Sequence, residues 1–206
     1  KLIWDVKITE LCAKSERKSA SYCYLYDTNF RQFVLKEFDK ILYSFPTKVK
    51  LLVITAPENL PNETELICGL IEQGLETLHV RKPGFSEEEL RAYVEQLPEV
   101  YHNRLVLHSH HQLKREFNLK GLHFPAVLRS LISSAEAHRY TCSTSCHSLE
   151  DLQQASSLFD YAFLSPVFDS ISKKGYKSAF AEDDLKSALQ QTTLPVVALG
   201  GINCGN

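Results

Sequence analysis

The 206-residue sequence has no methionine, no marked excess of either charge and no apolar run long enough to cross a membrane. Without a methionine the chain cannot begin at its own initiator, and it ends at GGINCGN just after a strand-like run, so we expect a fragment or a processed product. The longest apolar runs, such as LLVITA and LPVVALGG, are far shorter than the ~20 residues of a membrane span. The net charge of -2 gives no general attraction to nucleic acid or anionic lipid.

Two further kinds of motif are missing. No glycine-rich GxGxxG segment follows the first apolar run of the alternating region, which disfavours a dinucleotide-binding fold. The 6 cysteines are spaced irregularly in a chain too long to depend on disulfides, so we read them as reduced thiols. No signal peptide opens the chain. These features together predict a cytoplasmic protein that binds neither nucleic acid nor membrane.

From residue 49 onward, short apolar runs rich in branched side chains alternate with stretches of helical periodicity. Such runs between helices are typical of a parallel sheet covered by helices. The runs span residues 51–56, 77–81, 104–109, 121–125, 139–143, 160–165 and 194–200. These β/α steps with short turns predict an α/β fold of the (β/α)8 TIM-barrel class over residues 49–206. We expect this barrel to be truncated after its seventh strand, without the last β/α unit.

Residues 1–48 do not share this alternation, and we predict that they form a separate N-terminal extension. The segment NFRQFVLKEFDKILYSF, residues 29–45, repeats apolar side chains near helical spacing. This pattern predicts one amphipathic helix that packs against the barrel or a partner. No catalytic motif occurs in the extension, so its function is not predicted.

The candidate site residues follow the apolar runs, because a (β/α)8 barrel has its active site at the carboxyl ends of its strands. They are cationic, hydroxyl-bearing or glycine: Arg81, Lys82, His108, Ser145, His147, Ser170, Ser172, Lys173, Gly200 and Gly201. Phosphates need charge-assisted donors and backbone amides that approach closely. The set therefore predicts a phosphate-binding site, although glycine after a strand also serves simply as a turn.

Three histidine motifs contain side chains that can bind metal or transfer protons. HSHH, residues 108–111, suggests a metal site because imidazole is a good ligand for zinc and similar ions. Adjacent side chains on a strand point to opposite faces, so at most two of its three imidazoles can converge, and we predict no metal ligands here. His123 in GLHFP is interpreted as a core histidine. His147 is either a general acid or base or a structural turn residue.

Four motifs, in order along residues 50–203, resemble those of the thiamine phosphate synthase family, which includes a thiazole tautomerase branch. LHVRKP resembles the family's arginine and lysine motif after strand two, and SCHSLEDLQQA resembles its serine, histidine and acidic helix after strand five. DYAFLSPVFDSISKKGY resembles its Asp-Tyr strand followed by a T-x-T-K-type loop, and LPVVALGGIN resembles its glycine pair after strand seven.

The resemblance implies a role in thiamine biosynthesis, as a transferase that joins hydroxymethylpyrimidine pyrophosphate to thiazole phosphate and releases pyrophosphate with the help of Mg²⁺. Departure of the pyrophosphate leaves a stabilised pyrimidine cation, so catalysis would consist mostly of stabilising a leaving anion. The residues that the resemblance implies as catalytic are His147, Lys173 and Arg81. Those that it implies as substrate- or phosphate-binding are Lys82, His108, Ser145, Ser170, Ser172, Gly200 and Gly201.

The expected Mg²⁺ ligands differ from the family's pattern at two places. Where the synthases carry Asn-Asp after strand three, this sequence has His108 and Ser109. The segment FPAVLR after strand four offers no carboxylate. Two missing oxygen ligands leave Mg²⁺ poorly held. Mg²⁺ is thus expected from the resemblance, but its usual carboxylate ligands are not found here.

Two alternatives to the synthase reaction stay open. One is a metal-independent thiazole tautomerase, in which His147 moves the proton. The other is a non-catalytic, truncated relative that binds a phosphate-bearing ligand. In each case the expected partners are small phosphorylated molecules, pyrimidine pyrophosphate or thiazole phosphate, and the sequence is also compatible with a homo-oligomer.

Overall fold

The computed structural model describes residues 2–7, 51–155, 157–168 and 180–200. The strands in these ranges are β1 (Leu2–Lys7), β2 (Leu51–Ile54), β3 (Thr77–Val80), β4 (Leu105–Leu107), β5 (Gly121–Phe124), β6 (Thr141–Cys146), β7 (Tyr161–Leu164) and β8 (Val196–Ala198). The α-helices are α1 (Glu63–Glu72), α2 (Glu87–Glu95), α3 (Ser134–Arg139), α4 (Leu149–Gln153) and α5 (Glu182–Gln191). Three 3₁₀ segments span Glu99–Arg104, His111–Arg115 and Ala126–Leu131.

The chain divides into two compact units, of which the first is Val6–Lys120. In this unit β2, β3 and β4 pair in parallel and in sequence order. Helices α1 and α2 connect these strands and bury their apolar faces, with Leu66, Leu70, Leu90 and Val94 at 0–2% exposure. Helix α2 begins at a capping box, in which Ser86 accepts from the Glu89 amide while the Glu89 carboxylate accepts from the Ser86 amide.

The second unit is Gly121–Asn206 together with Lys1–Asp5. Strands β5 to β8 pair in parallel and in sequence order. Strand β1 pairs in parallel with β8 through Leu2↔Val196, Ile3↔Val197 and Trp4↔Ala198. The core of this unit lies between the strands and helices α4 and α5, and it includes Cys146, Leu152, Ala162, Leu164, Val196 and Ala198.

All seven predicted strands occur, and their parallel pairing with intervening helices confirms the predicted fold class. Strand β1 was not predicted, and it occupies the edge of β8 that faces away from β7. The amphipathic helix expected over residues 29–45 lies outside the described residues. The division of the chain at residue 48 stays a prediction.

The helical periodicity between the apolar runs predicts helices near residues 112–117 and 128–138, and both are shorter or tighter than a continuous α-helix. The segment near residues 112–117 forms the 3₁₀ turn His111–Arg115. The segment near residues 128–138 is split into a 3₁₀ turn, Ala126–Leu131, and helix α3. The split occurs because Ser133 takes an extended conformation and starts α3 with its own capping box to Glu136. No helix in the described ranges is long and apolar enough to cross a bilayer.

Candidate functional site

In the Val6–Lys120 unit, Arg81 follows β3 with its backbone fixed and its side chain exposed. The Arg81 amide donates a hydrogen bond to Thr55 Oγ1 at 2.9 Å, and Thr55 Oγ1 lies 3.3 Å from the Arg81 carbonyl oxygen. Thr55 itself follows β2 and donates its amide to the His79 carbonyl at 2.9 Å. The strand end is therefore rigid while the guanidinium is open to solvent, as an anion-binding role requires. That role stays a prediction.

Lys82, the next residue, is buried and already paired. Its Nζ lies 2.5 Å from Glu63 Oε2 and 2.5 Å from the Glu58 carbonyl oxygen, and 4.8 Å from the centre of the Tyr93 ring. Burial lowers the pKa of Lys82, while the hydrogen bond to Glu63 opposes that change. These contacts give Lys82 a structural partner inside the unit. Its predicted phosphate-binding role has no contact here to support it and stays a prediction.

Glu63, the partner of Lys82, was not among the predicted site residues. Its Oε1 accepts the Ala56 amide at 3.1 Å, and its Oε2 also accepts the Tyr93 hydroxyl at 2.8 Å. Burial, more than the nearby carboxylate, raises the pKa of Tyr93, so that its hydroxyl stays a donor. Glu63 thus links the ends of β2 and β3 to helices α1 and α2. Its place in the first turn of α1 also gives a favourable interaction with the helix dipole.

His108, after β4, contacts a second histidine that the sequence placed inside a strand. His108 Nε2 lies 2.9 Å from His79 Nδ1, and the two rings meet edge to face at 5.1 Å. His79 is fully buried and His108 is half-buried. One of these two nitrogens must donate and the other must accept. The accepting nitrogen therefore carries no proton, and the ring that it belongs to is neutral.

The donor chemistry at these strand ends does not fit Mg²⁺ at the two positions where the resemblance expects its ligands. After β4 the chain has His108, engaged with His79, and Ser109 where Asn-Asp is expected, so the expected carboxylate is replaced by a hydroxyl. After β5 the segment Pro125 to Arg129 contains no carboxylate. Mg²⁺ prefers hard oxygen ligands in octahedral geometry. We therefore derive no catalytic step through this ion.

In the Gly121–Asn206 unit, His147 follows β6 and reaches the end of β7. Its Nδ1 lies 3.2 Å from both the carbonyl oxygen and the hydroxyl oxygen of Ser165. A carbonyl only accepts, so a proton on Nδ1 satisfies both contacts and leaves Nε2 as an acceptor. His147 is exposed, so Nε2 is open to a ligand. This geometry suits a group that takes up a proton.

Ser145 lies at the end of the same strand and contacts His123. The Ser145 hydroxyl is 2.9 Å from His123 Nε2, and the Ser143 hydroxyl is 2.9 Å from His123 Nδ1. His123 is buried, and both of its ring nitrogens have hydroxyl partners, as expected of a core histidine. Ser145 is half-buried, so it borders solvent on one side and the core on the other.

Arg129 and Asp151 form an ion pair that contacts the backbone of Ser145 and His147. The sequence did not indicate this ion pair. Arg129 lies in the 3₁₀ segment after β5, Asp151 lies in α4, and their closest N–O distance is 2.5 Å. The hydrogen bond from Arg129 lowers the pKa of Asp151, against the opposing effect of burial. Burial raises the pKa of the neighbouring Cys146 to about 11, so this thiol is protonated at neutral pH.

Gly200 follows β8 and packs against the start of the loop after β7. Its φ is +90°, and a Cβ at this position would lie 3.0 Å from the Cα and Cβ atoms of Pro166. The Val167 amide donates to the Leu199 carbonyl at 2.8 Å, and the Phe168 amide donates to the Gly200 carbonyl at 3.0 Å. Only glycine suits both this backbone conformation and this close approach. The predicted site residues Ser170, Ser172, Lys173 and Gly201 lie outside the described residues.

Each unit therefore has charged or hydroxyl-bearing residues where parallel strands end, as enzymes of the (β/α)8 class do. A model of the family "Thiamine monophosphate synthase" matches residues 51–206. The chain belongs to this family. The match confirms the family that the four sequence motifs predicted.

Individual relatives agree with this assignment. The thiamine-phosphate synthase of Psychrobacter sp. (strain PRwf-1) is 27% identical over 150 residues, 69% of this chain and 70% of that protein. The synthase of Chlamydia caviae is 25% identical over 168 residues, 76% of this chain and 79% of that protein. The match to the synthase of Vibrio campbellii is 47% identical but spans only 58 residues, 28% of each chain.

A solved structure shows the same likeness. The crystal structure of thiamine phosphate pyrophosphorylase from Bacteroides thetaiotaomicron has a TM-score of 0.61 and is 35% identical to this chain. The likeness covers 75% of this chain and 74% of that one. It agrees with the predicted fold class, and the names of the relatives agree with the predicted enzyme class, a transferase of the thiamine phosphate synthase family.

Proposed function

We propose that this protein is a thiamine phosphate synthase: a transferase that joins hydroxymethylpyrimidine pyrophosphate to thiazole phosphate. The observation that carries the proposal is the family match over residues 51–206, which contains every predicted strand-end motif. In the proposed reaction the bond between the pyrimidine methylene carbon and the pyrophosphate oxygen breaks. The electron pair leaves with pyrophosphate, and the thiazole then forms the new bond to the methylene carbon.

The exposed guanidinium of Arg81 is the described cation best suited to the departing pyrophosphate. Thr55 holds the Arg81 backbone in place at the end of β3, and the exposed guanidinium extends from this fixed point. A donor placed in advance where negative charge develops stabilises the transition state without further reorganisation. Lys173, Ser170 and Ser172 are assigned to pyrophosphate binding by the resemblance of their motif to the family, and this assignment is part of the proposal. Gly200 and Gly201 are proposed to bind the thiazole phosphate through their backbone amides.

The synthase reaction is tested by supplying both substrates, with and without added Mg²⁺, and measuring pyrophosphate release and thiamine phosphate. We expect turnover by the wild type and a loss of about 100-fold in kcat/KM for Arg81→Ala. The matched control is Arg115→Ala, which removes an exposed arginine of the same unit and is expected to change kcat/KM by less than about twofold. A folded wild type that releases no pyrophosphate under either condition would refute the proposal.

Thiazole tautomerase activity is a second candidate, favoured by the geometry of His147. The contact of Nδ1 with Ser165 leaves Nε2 available as a base, and proton transfer at the thiazole requires no metal. For this activity His147→Ala is expected to slow isomerisation of the thiazole phosphate by at least about 100-fold. His138→Ala, an exposed histidine of the same unit, is the control. Unchanged isomerisation by His147→Ala excludes this role.

The third alternative, a non-catalytic relative, is tested with the same protein samples by activity assays and thermal unfolding. If neither reaction occurs but thiazole phosphate raises the melting temperature, the protein binds the ligand without turning it over, because a ligand stabilises the state that it binds. The predicted cytoplasmic location and the predicted small phosphorylated partners belong to the proposal in each case.

A further inference from the structure

We propose that Arg129 and Asp151 are a positioning pair, which fixes the backbone on both sides of Cys146 and thereby aims His147 and Ser145 toward the substrate. This inference rests on the proposed function for its catalytic consequence. Neither residue is expected to touch the substrate. Their side chains are 17% and 26% exposed, so the ion pair is partly shielded from water.

Arg129 holds the first peptide group. Its Nη2 donates to the Ser145 carbonyl at 2.7 Å, and its Nε donates to the Thr144 hydroxyl at 3.1 Å. The Thr144 hydroxyl in turn donates to the Phe124 carbonyl at 2.8 Å. The guanidinium uses its fixed fork of donors to join the end of β6 to the end of β5. A lysine offers a single point of attachment and cannot reproduce this.

Asp151 holds the second peptide group. Its Oδ1 accepts from Arg129 Nη1 at 2.5 Å, and its Oδ2 accepts from the His147 amide at 3.1 Å. The Asp151 amide donates to the Ser148 hydroxyl at 3.0 Å, which caps the start of α4. A carboxylate in the first turn of a helix is also favoured by the helix dipole. Both carboxylate oxygens of Asp151 therefore have donors, and its backbone amide is held by the Ser148 cap.

The contacts of Arg129 and Asp151 with the backbone together restrict the position of the His147 ring. The Ser145 carbonyl belongs to the peptide group before Cys146, and the His147 amide belongs to the peptide group after it. With both groups held, rotation of the backbone at Cys146 is restricted and the position of the His147 Cα is set. The direction of the His147 side chain then depends on its own torsion angles and on its contact with Ser165. The ring then reaches Ser165 at 3.2 Å through Nδ1. A displacement of about 1 Å at such a group costs about 100-fold in rate.

The test compares Asp151→Asn and Arg129→Lys with the wild-type protein. Asparagine keeps the shape of the side chain but removes the charge and one acceptor, whereas lysine keeps the charge but removes the fork. Asp183→Asn, an exposed carboxylate at the start of α5 in the same unit, is the matched control. In the active protein, we expect both test variants to lower kcat by about 10- to 100-fold with KM changed by less than about threefold. The control should match the wild type.

A second readout does not depend on catalysis. The ¹⁵N chemical shifts of the His147 ring, assigned by their loss in His147→Ala, report which nitrogen carries the proton. We expect the Nδ1–H form in the wild type and in Asp183→Asn, and a mixture of both forms in the test variants. If both variants fold and keep the wild-type tautomer and kcat, the proposal is wrong. If the wild type lacks both enzymatic activities but the tautomer still changes, the proposed function fails and the positioning pair stands.

Discussion

Replacing Glu63 with leucine is expected to lower the free energy of unfolding by about 3–5 kcal/mol, because it leaves the Lys82 ammonium buried without a counter-charge. Lys82 is 1% exposed, so water cannot take the place of the carboxylate unless the unit opens. The remaining partners are the Glu58 carbonyl, at 2.5 Å, and the faces of Phe85 and Tyr93. The Tyr93 hydroxyl also loses its acceptor. Urea unfolding followed by circular dichroism measures this change.

The opposite truncation, Lys82→Met, is expected to cost less than Glu63→Leu. The Glu63 carboxylate keeps two donors, the Ala56 amide and the Tyr93 hydroxyl, and it can also take up a proton. The double variant should be more stable than Glu63→Leu alone, because replacing both members of a buried pair by apolar residues removes the unpaired charge. Glu65→Leu, an exposed glutamate of the same helix, is the control, with a change within about 0.5 kcal/mol. A double variant as unstable as the sum of the single ones contradicts this account.

Raising the pH adds a check on the same pair. The pKa of Lys82 is already lowered by burial, and loss of Glu63 removes the contact that opposes this. In Glu63→Leu the folded state then releases the proton at a pH where the unfolded chain, with a lysine pKa of about 10.4, still holds it. Stability increases with pH wherever the unfolded state binds more protons. The variant should therefore gain stability as the pH rises toward about 10.4, more than the wild type does.

The strands could be predicted because each depends on neighbouring residues, and the Ser86 capping box follows a similarly local pattern, a serine with a glutamate three residues later. Apolar runs define the strands, and residues three apart define the cap. Strand β1 could not be predicted in this way. The segment LIWDVK has a partner about 190 residues away in sequence, at Val196 to Ala198, and no local pattern encodes that pairing. The short 3₁₀ turns were missed because their helical periodicity covers too few residues to distinguish a single turn from a helix.

The candidate site could likewise be predicted only in part. Arg81, Ser145 and His147 were found because chain order alone places them at or just after the ends of strands. Glu63 and Asp151 were missed because their partners, Lys82 and Arg129, lie 19 and 22 residues away and meet them only in the folded unit. Chain order places both Arg81 and Lys82 after β3, but Arg81 is exposed and Lys82 is buried. This contrast depends on the contact of Lys82 with Glu63, which forms only in the folded unit.

Replacing Gly121 with alanine is expected to destabilise the protein by at least about 3 kcal/mol, because the new methyl group has no space. Gly121 begins β5 and pairs with Thr141 at the start of β6. A Cβ at this position would lie 2.1 Å from the Thr141 carbonyl oxygen and 3.2 Å from the Thr141 Cβ. The nearest atom belongs to the backbone, so no rotamer change relieves the overlap. The strands must separate where they first pair.

Thermal unfolding measures this effect, and we expect the melting temperature to fall by roughly 6–12 °C in a chain of this length. Gly84→Ala is the matched control, since nothing lies within 4 Å of the Cβ that it would add. It should leave stability unchanged or raise it by up to about 1 kcal/mol, because alanine restricts the unfolded chain. A Thr141→Ala change in the Gly121→Ala background should not restore stability. If it does, the overlap is with the threonine side chain and the backbone assignment is wrong.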